Sequence, residues 1–168
     1  MKSCMQIVEA ELGRPAPDDF LQVLDRRAYA VFERDLVAVE GVEAVLDLLD
    51  RARTPYAVAS SGSHEKMRKT LGITGLLPRL EGRITSATEV AHGKPAPDVF
   101  LLAAERLAVP PGNCIVIEDS LLGIEAALAA GMQVIGYPAM VGAADMIAAG
   151  ATHVASTMAA VQELLAAK

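Results

Sequence analysis

From Gly41 onward the chain alternates short apolar runs with stretches of helical pattern, a rhythm that few folds accommodate. Residues 56–59, 83–86, 114–117, 133–136 and 153–155 read as short strands. Residues 42–50, 64–71, 98–107, 122–130, 143–149 and 159–167 place their apolar positions on one helical face. Strands separated by helices of about ten residues imply a parallel sheet with right-handed crossovers. Gly131 suits the left-handed residue that closes a helix. The first forty residues contain no strand pattern. Residues 5–12 read as a helix stopped by Gly13, and Arg14-Pro15-Ala16-Pro17 is a break. Asp18 or Asp19 is expected to cap a second helix bearing Phe20, Leu21, Leu24, Ala28, Val31 and Phe32 as an apolar stripe.

A length of 168 residues fits one domain, or one domain with a small appendage. Hydrophobic residues at 52% and charged residues at 21% exclude a disordered or fibrous chain. A net charge of −6 argues against a protein that tracks nucleic-acid phosphates, and three Phe, three Tyr and no Trp leave little for base stacking. No apolar run approaches the ~20 residues that span a bilayer, and the first residues carry no signal-peptide core. Cys4 and Cys114 lie far apart and outside any C-x-x-C, so a reduced, cytoplasmic protein is expected.

In parallel sheets ligands sit beyond the carboxyl ends of the strands, so the residues just past each strand are the candidates for a site. After the first comes Ser60-Ser61-Gly62-Ser63, a hydroxyl-rich turn into a helix. It is either an anion cradle of backbone N–H groups or an ordinary capping turn. After the second comes Gly93-Lys94-Pro95-Ala96-Pro97-Asp98, where two prolines stiffen the backbone around one lysine. An ammonium so held suits a phosphoryl oxygen or a carboxylate, against the alternative of a solvated surface charge. After the third comes Glu118-Asp119-Ser120, two carboxylates that cannot both ionise cheaply in a sheet mouth without a cation. Mg²⁺ with a phosphate is the usual partner, and a pair complementing a helix dipole is the alternative. Cradle, cation and metal seat in that order are the equipment of phosphoryl transfer.

These same residues carry a family resemblance. Residues 57–63, 93–100 and 115–120, with Gly123-Ile124 and residues 126–132, resemble the haloacid dehalogenase-like hydrolase superfamily over about residues 40–140. The nearest likeness is to its sugar-phosphatase and β-phosphoglucomutase subgroup. The resemblance implies a Rossmann-like α/β core over 39–168 and part of a helical, substrate-selecting cap over 1–38. It implies that Ser60 hydrogen-bonds the phosphoryl group with the N–H groups of Ser61 and Gly62. It implies further that Lys94 neutralises the reacting oxygens and that Asp119, with Glu118, holds Mg²⁺.

One departure is large. The family opens on a strand ending in D-x-D-G-T, whose first Asp becomes an aspartyl phosphate and whose second is the general acid and base. Here the aspartates are 18, 19, 25, 35, 47, 50, 98, 119 and 145, and no two have D-x-D spacing. A βα unit and a further helix amount to roughly forty residues. The core is therefore expected to lack its first strand, and the nucleophile with it. In the family that strand is central, between those corresponding to 56–59 and 114–117. These two should close up, leave a slot of unpaired backbone, or accept a strand from elsewhere, with self-association through the open edges expected.

The remaining candidates are bland. His64, His92 and His153 are dispersed without metal-ligand spacing, Cys114 reads as packing, and nothing singles out Arg79 or Glu89. The reading is a Mg²⁺-dependent phosphatase of small phosphorylated sugars, impaired in this chain by the missing nucleophile. Its rivals are a phosphomutase and a non-catalytic phosphate- or Mg²⁺-binding module.

Overall fold

A computed structural model describes residues 4–167. The chain divides into two compact units, Met1–Val37 and Ala38–Lys168. The first holds α1 (Cys4–Leu12) and α2 (Phe20–Asp35). Gly13 turns the chain with φ 64°, a left-handed value that favours glycine. The Glu9 carboxylate accepts the Ala16 N–H at 3.2 Å across that turn. Asp19 occupies the cap position of α2, but its side chain makes no capping bond. Its φ of −93° and ψ of 5° depart from the extended backbone that aims a cap side chain at the first turn. The apolar stripe of α2 is present without being covered within this unit: Leu21, Leu24 and Val31 are all about half exposed and no α2 residue is buried.

The second unit runs α3 (Val42–Ala52), β1 (Val58–Ser60), α4 (His64–Ile73), α5 (Leu77–Leu80), β2 (Ile84–Ser86), α6 (Asp98–Leu107), β3 (Ile115–Glu118), α7 (Leu121–Ala129), β4 (Gln133–Gly136), α8 (Ala143–Ala148), β5 (His153–Val154) and α9 (Met158–Ala166). All described strand pairs are parallel. The short helix α5 had no counterpart in the sequence pattern, because four residues cannot display a helical period.

Alternation along each strand distributes its side chains to two apolar layers. On one face Val134 packs with Val99, Phe100 and Ala104 of α6 and Ile124 and Ala127 of α7. On the other, Ile135 packs with Val45 of α3 and Met158 and Val161 of α9. Both faces are covered by helices, as an all-parallel arrangement requires.

The described strands form two sheets, β1–β2 and β3–β4–β5, with no hydrogen-bonded ladder joining β1 to β3. Between them lies a cavity of about 540 Å³, walled by Val58 and Ala59 on one side and Ile115 to Glu118 on the other. Of the three outcomes expected where a central strand is missing, the chain adopts the open slot. Its cost is visible in burial. All of β1 is only half-buried, and Ile117, in the middle of an apolar strand, remains 36% exposed.

Candidate active site

The loop between β2 and α6 draws the carboxyl ends of three strands together. Its first anchor is Ser86, fully buried, whose hydroxyl donates to the Gly62 carbonyl at 2.7 Å. That bond fixes the Ser60–Ser63 turn to the end of β2. Its second anchor is Glu89, whose carboxylate accepts the Ser86 N–H at 2.7 Å, lies 2.7 Å from His64 Nε2 at the start of α4, and pairs with Arg106 of α6. Its third anchor is Lys94, whose Nζ donates to Glu118 Oε2 at 2.9 Å at the end of β3. The Lys94 side chain is 11% exposed, and its ammonium sits 4.6 Å above the Phe100 ring. Burial against an aromatic face strips water from the cation while the carboxylate keeps it paired.

Ser60 ends β1, and its Oγ accepts the Gly62 N–H at 3.1 Å, folding the turn on itself. Ser63 caps α4 through the Lys66 N–H at 3.2 Å, so the turn caps a helix at that residue. Ser61, between them, is exposed.

The acid pair separates into two environments. Glu118 is buried, with one oxygen on Lys94 and the other accepting the Ser120 hydroxyl at 2.6 Å. Ser120 also accepts the Gly123 N–H at 3.1 Å, capping α7. Gly123 is the only residue type that fits there, since a Cβ would fall inside the Glu118 side chain. Asp119 is exposed, with no hydrogen bond or ion pair among the described residues. No group of three or more His, Cys, Asp or Glu side chains poised for a metal occurs among the described residues. A single carboxylate still suits Mg²⁺, which keeps several waters and takes the rest of its shell from phosphate oxygens. Of the expected pair, Asp119 has its oxygens available and Glu118 has both committed.

Two residues at this end, Ser86 and Glu89, were not singled out by the sequence. Ser86 was unremarkable there, although Ser86-Ala87-Thr88-Glu89 is a capping-box spacing, and that box forms. Glu89 is held down to about 2 by the Arg106 guanidinium first, then by the Ser86 N–H and His64. Arg79, by contrast, lies on α5 away from this loop, bridging Asp47 and Asp50 of α3. His92 contacts Asp98 at 3.2 Å, His153 lies in β5, and Cys114 is half-buried with its thiol 3.5 Å from the Pro110 carbonyl.

The model of the haloacid dehalogenase-like hydrolases matches residues 3–131. The chain belongs to that family. Hexitol phosphatase A of Escherichia coli is 40% identical over 104 residues, which is 62% of this chain and 47% of that protein. The fructose-1-phosphate phosphatase YqaB of the same organism is 41% identical over 83 residues, 49% of this chain and 44% of its own length. The chain thus spans about half the length of these curated relatives. A haloacid dehalogenase family hydrolase from Deinococcus radiodurans, solved with bound phosphate and sodium, superposes with a TM-score of 0.81 at 32% identity, covering 97% of this chain and 73% of that one. The α/β core with parallel strands is the fold of this family, and no helix among the described residues is long and apolar enough to cross a membrane.

Proposed function

We propose that this chain carries the phosphate- and metal-binding half of a phosphatase-type hydrolase for small phosphorylated sugars. One observation supports the reading above the others: the β2–α6 loop ties the Ser60 turn at one end and Glu118 at the other, through Ser86 and Lys94. The three motifs named by sequence thereby share one end of the core. The relatives named for hexitol phosphate and fructose 1-phosphate phosphatases support the substrate class.

In this reading Ser60, Ser61 and Gly62 take the phosphoryl group. The Ser60 hydroxyl, now accepting from Gly62, releases that N–H to the incoming anion and turns its own proton toward it. Lys94 supplies a fixed positive charge beside the transferring oxygens, and Glu118 positions it. Asp119 would hold Mg²⁺, while Glu118 stays committed to Lys94 and Ser120; the ion, when bound, would neutralise phosphate charge. Residues 1–38 would form part of the cap that selects the sugar.

Neither aspartate of a D-x-D pair is present in the 168 residues, so the chain as it stands binds a sugar phosphate and turns over little. That distinguishes it from a competent phosphatase or phosphomutase. Calorimetric titration with fructose 1-phosphate and Mg²⁺, with phosphate release followed in parallel, tests the reading. Binding that Asp119→Asn weakens, without release, is expected. Absence of binding in both the presence and absence of Mg²⁺ overturns it.

A further inference from the structure

Side chains from outside the Ser60–Ser63 turn close it into a ring. The buried Ser86 hydroxyl donates to the Gly62 carbonyl at 2.7 Å, and the Ser86 N–H donates to Glu89 Oε1 at 2.7 Å. The same Oε1 lies 2.7 Å from His64 Nε2, and His64 follows the turn directly as the first residue of α4. Gly62, Ser86, Glu89 and His64 thus return to Gly62 through Ser63. The loop that fixes the turn also fixes the imidazole beside it in sequence.

Within this ring one group changes charge near neutral pH. Glu89 stays ionised down to about 2, held there by the Arg106 guanidinium first, then by the Ser86 N–H and His64. Arg106, on α6, is a permanent cation. An ionised carboxylate has no proton to offer, so His64 Nε2 carries the hydrogen of their contact and Nδ1 takes the second proton. The His64 side chain is 40% exposed, which leaves that nitrogen within reach of solvent. Histidine is the side chain that ordinarily titrates between about pH 5 and 8. The other charges on and around α4 are Glu65, Lys66 and Lys69, Arg68 paired with Glu81, and Arg79 of α5 committed to Asp47 and Asp50. Across the β2–α6 loop stand Lys94 on Glu118 and, at its exposed end, His92 on Asp98. Carboxylates, ammonium groups and guanidinium groups ordinarily keep their charge over that range.

We propose that His64 is a pH-sensitive positioning residue of the anion turn: its imidazolium, held on Glu89, adds a positive charge beside Ser61–Ser63, and the affinity of the turn for a phosphate-like dianion rises as the ring takes up its proton. The inference rests on the reading of that turn as an anion cradle and deepens it. The opposing influences on the ring set the sign. The N-terminus of α4 disfavours a cation at its first residue, and the Glu89 carboxylate favours one. A bound dianion adds to the side of the carboxylate. Proton uptake and anion binding then strengthen each other by the same factor. One added charge facing a dianion at a solvent-accessible, salt-screened turn corresponds to about threefold or more in affinity.

The test titrates the full chain with sodium sulfate, a dianion at every pH used, by calorimetry without Mg²⁺ at about pH 5.5 and about pH 8. The chain should bind sulfate at least about threefold more tightly at the lower pH. His64→Gln keeps an N–H donor for Glu89 and removes the titration, so its affinity should be the same at both. His92→Gln alters the other imidazole of this region and should retain the pH dependence. Shifts of the Ser61 and Gly62 amides in nuclear magnetic resonance spectra place the sulfate on the turn. The His64 ring should titrate at higher pH in saturating sulfate, by the same factor of about three. Equal sulfate affinity at both pH values overturns the proposal, and so does a pH dependence that survives in His64→Gln. A His64 titration indifferent to sulfate overturns it even where that variant fails to fold. Sulfate that leaves the turn amides unmoved at both pH values overturns the cradle reading and the proposal with it, whereas binding at the turn without pH dependence overturns the proposal alone.

Discussion

Replacing Gly123 with alanine sets two physical effects of opposite sign against each other. Gly123 lies inside α7, where alanine favours the helix by about 1 kcal/mol. Its missing side chain is also the space that Glu118 occupies, so an added Cβ must expel that carboxylate. Crowding of this kind costs about 1–3 kcal/mol. Expulsion further strips a nearly buried carboxylate of Lys94 at 2.9 Å and Ser120 at 2.6 Å, and one such charged hydrogen bond is worth about 1.5–3 kcal/mol. Packing wins, and Gly123→Ala should lose about 2–4 kcal/mol, a fall in melting temperature of roughly 5–15 °C for a chain this size. Urea unfolding followed by far-UV circular dichroism measures it. In a Glu118→Ala background the space is empty, and the same Gly123→Ala change should turn neutral or stabilising by up to about 1 kcal/mol. An unchanged or raised stability of the single variant refutes the reasoning, as does a double-mutant cycle without coupling.

Three further outcomes concern the same site. Lys94→Met leaves Glu118 buried without its cation and should destabilise the chain by about 3 kcal/mol in chemical denaturation while removing phosphate binding by calorimetry. Asp119→Asn changes an exposed, unpartnered side chain, so stability should shift by less than about 0.5 kcal/mol while Mg²⁺-dependent binding of a sugar phosphate is lost. The Glu89 carboxylate is held at about 2 against an ordinary 4.5. Its stabilising contribution is therefore complete above about pH 4.5 and is lost as pH falls through about 2. Glu89→Gln should lower the melting temperature at neutral pH and flatten its dependence on pH across that window in thermal scans.

The alternation of runs and helices was legible because periodicity is a local property, and each predicted strand became one. Lys94 could be picked out because its prolines announce a directed backbone, and it is indeed held between β3 and the Phe100 ring. The division of labour between Glu118 and Asp119 could not be read. It depends on Gly123, five residues beyond Glu118, leaving room for one carboxylate to turn inward. Ser86 and Glu89 escaped notice because their roles are long-range: one reaches Gly62 and the other Arg106, and no spacing along the chain records either contact. The Asp19 cap failed because a cap requires extended backbone as well as a suitable side chain. The open slot between β1 and β3 was one of three outcomes the sequence allowed, and only packing decides among them.

On the proposed reading, this chain keeps the phosphate and metal seats of its family without the carboxylate that reacts. Calorimetric titration of the 168-residue chain with fructose 1-phosphate and Mg²⁺, coupled to a phosphate-release assay, tests that most directly. Mg²⁺-dependent binding, lost in Asp119→Asn and unaccompanied by release, is the predicted result. Mg²⁺-dependent release of phosphate that Asp119→Ala abolishes would contradict it, because turnover would then proceed without the D-x-D pair.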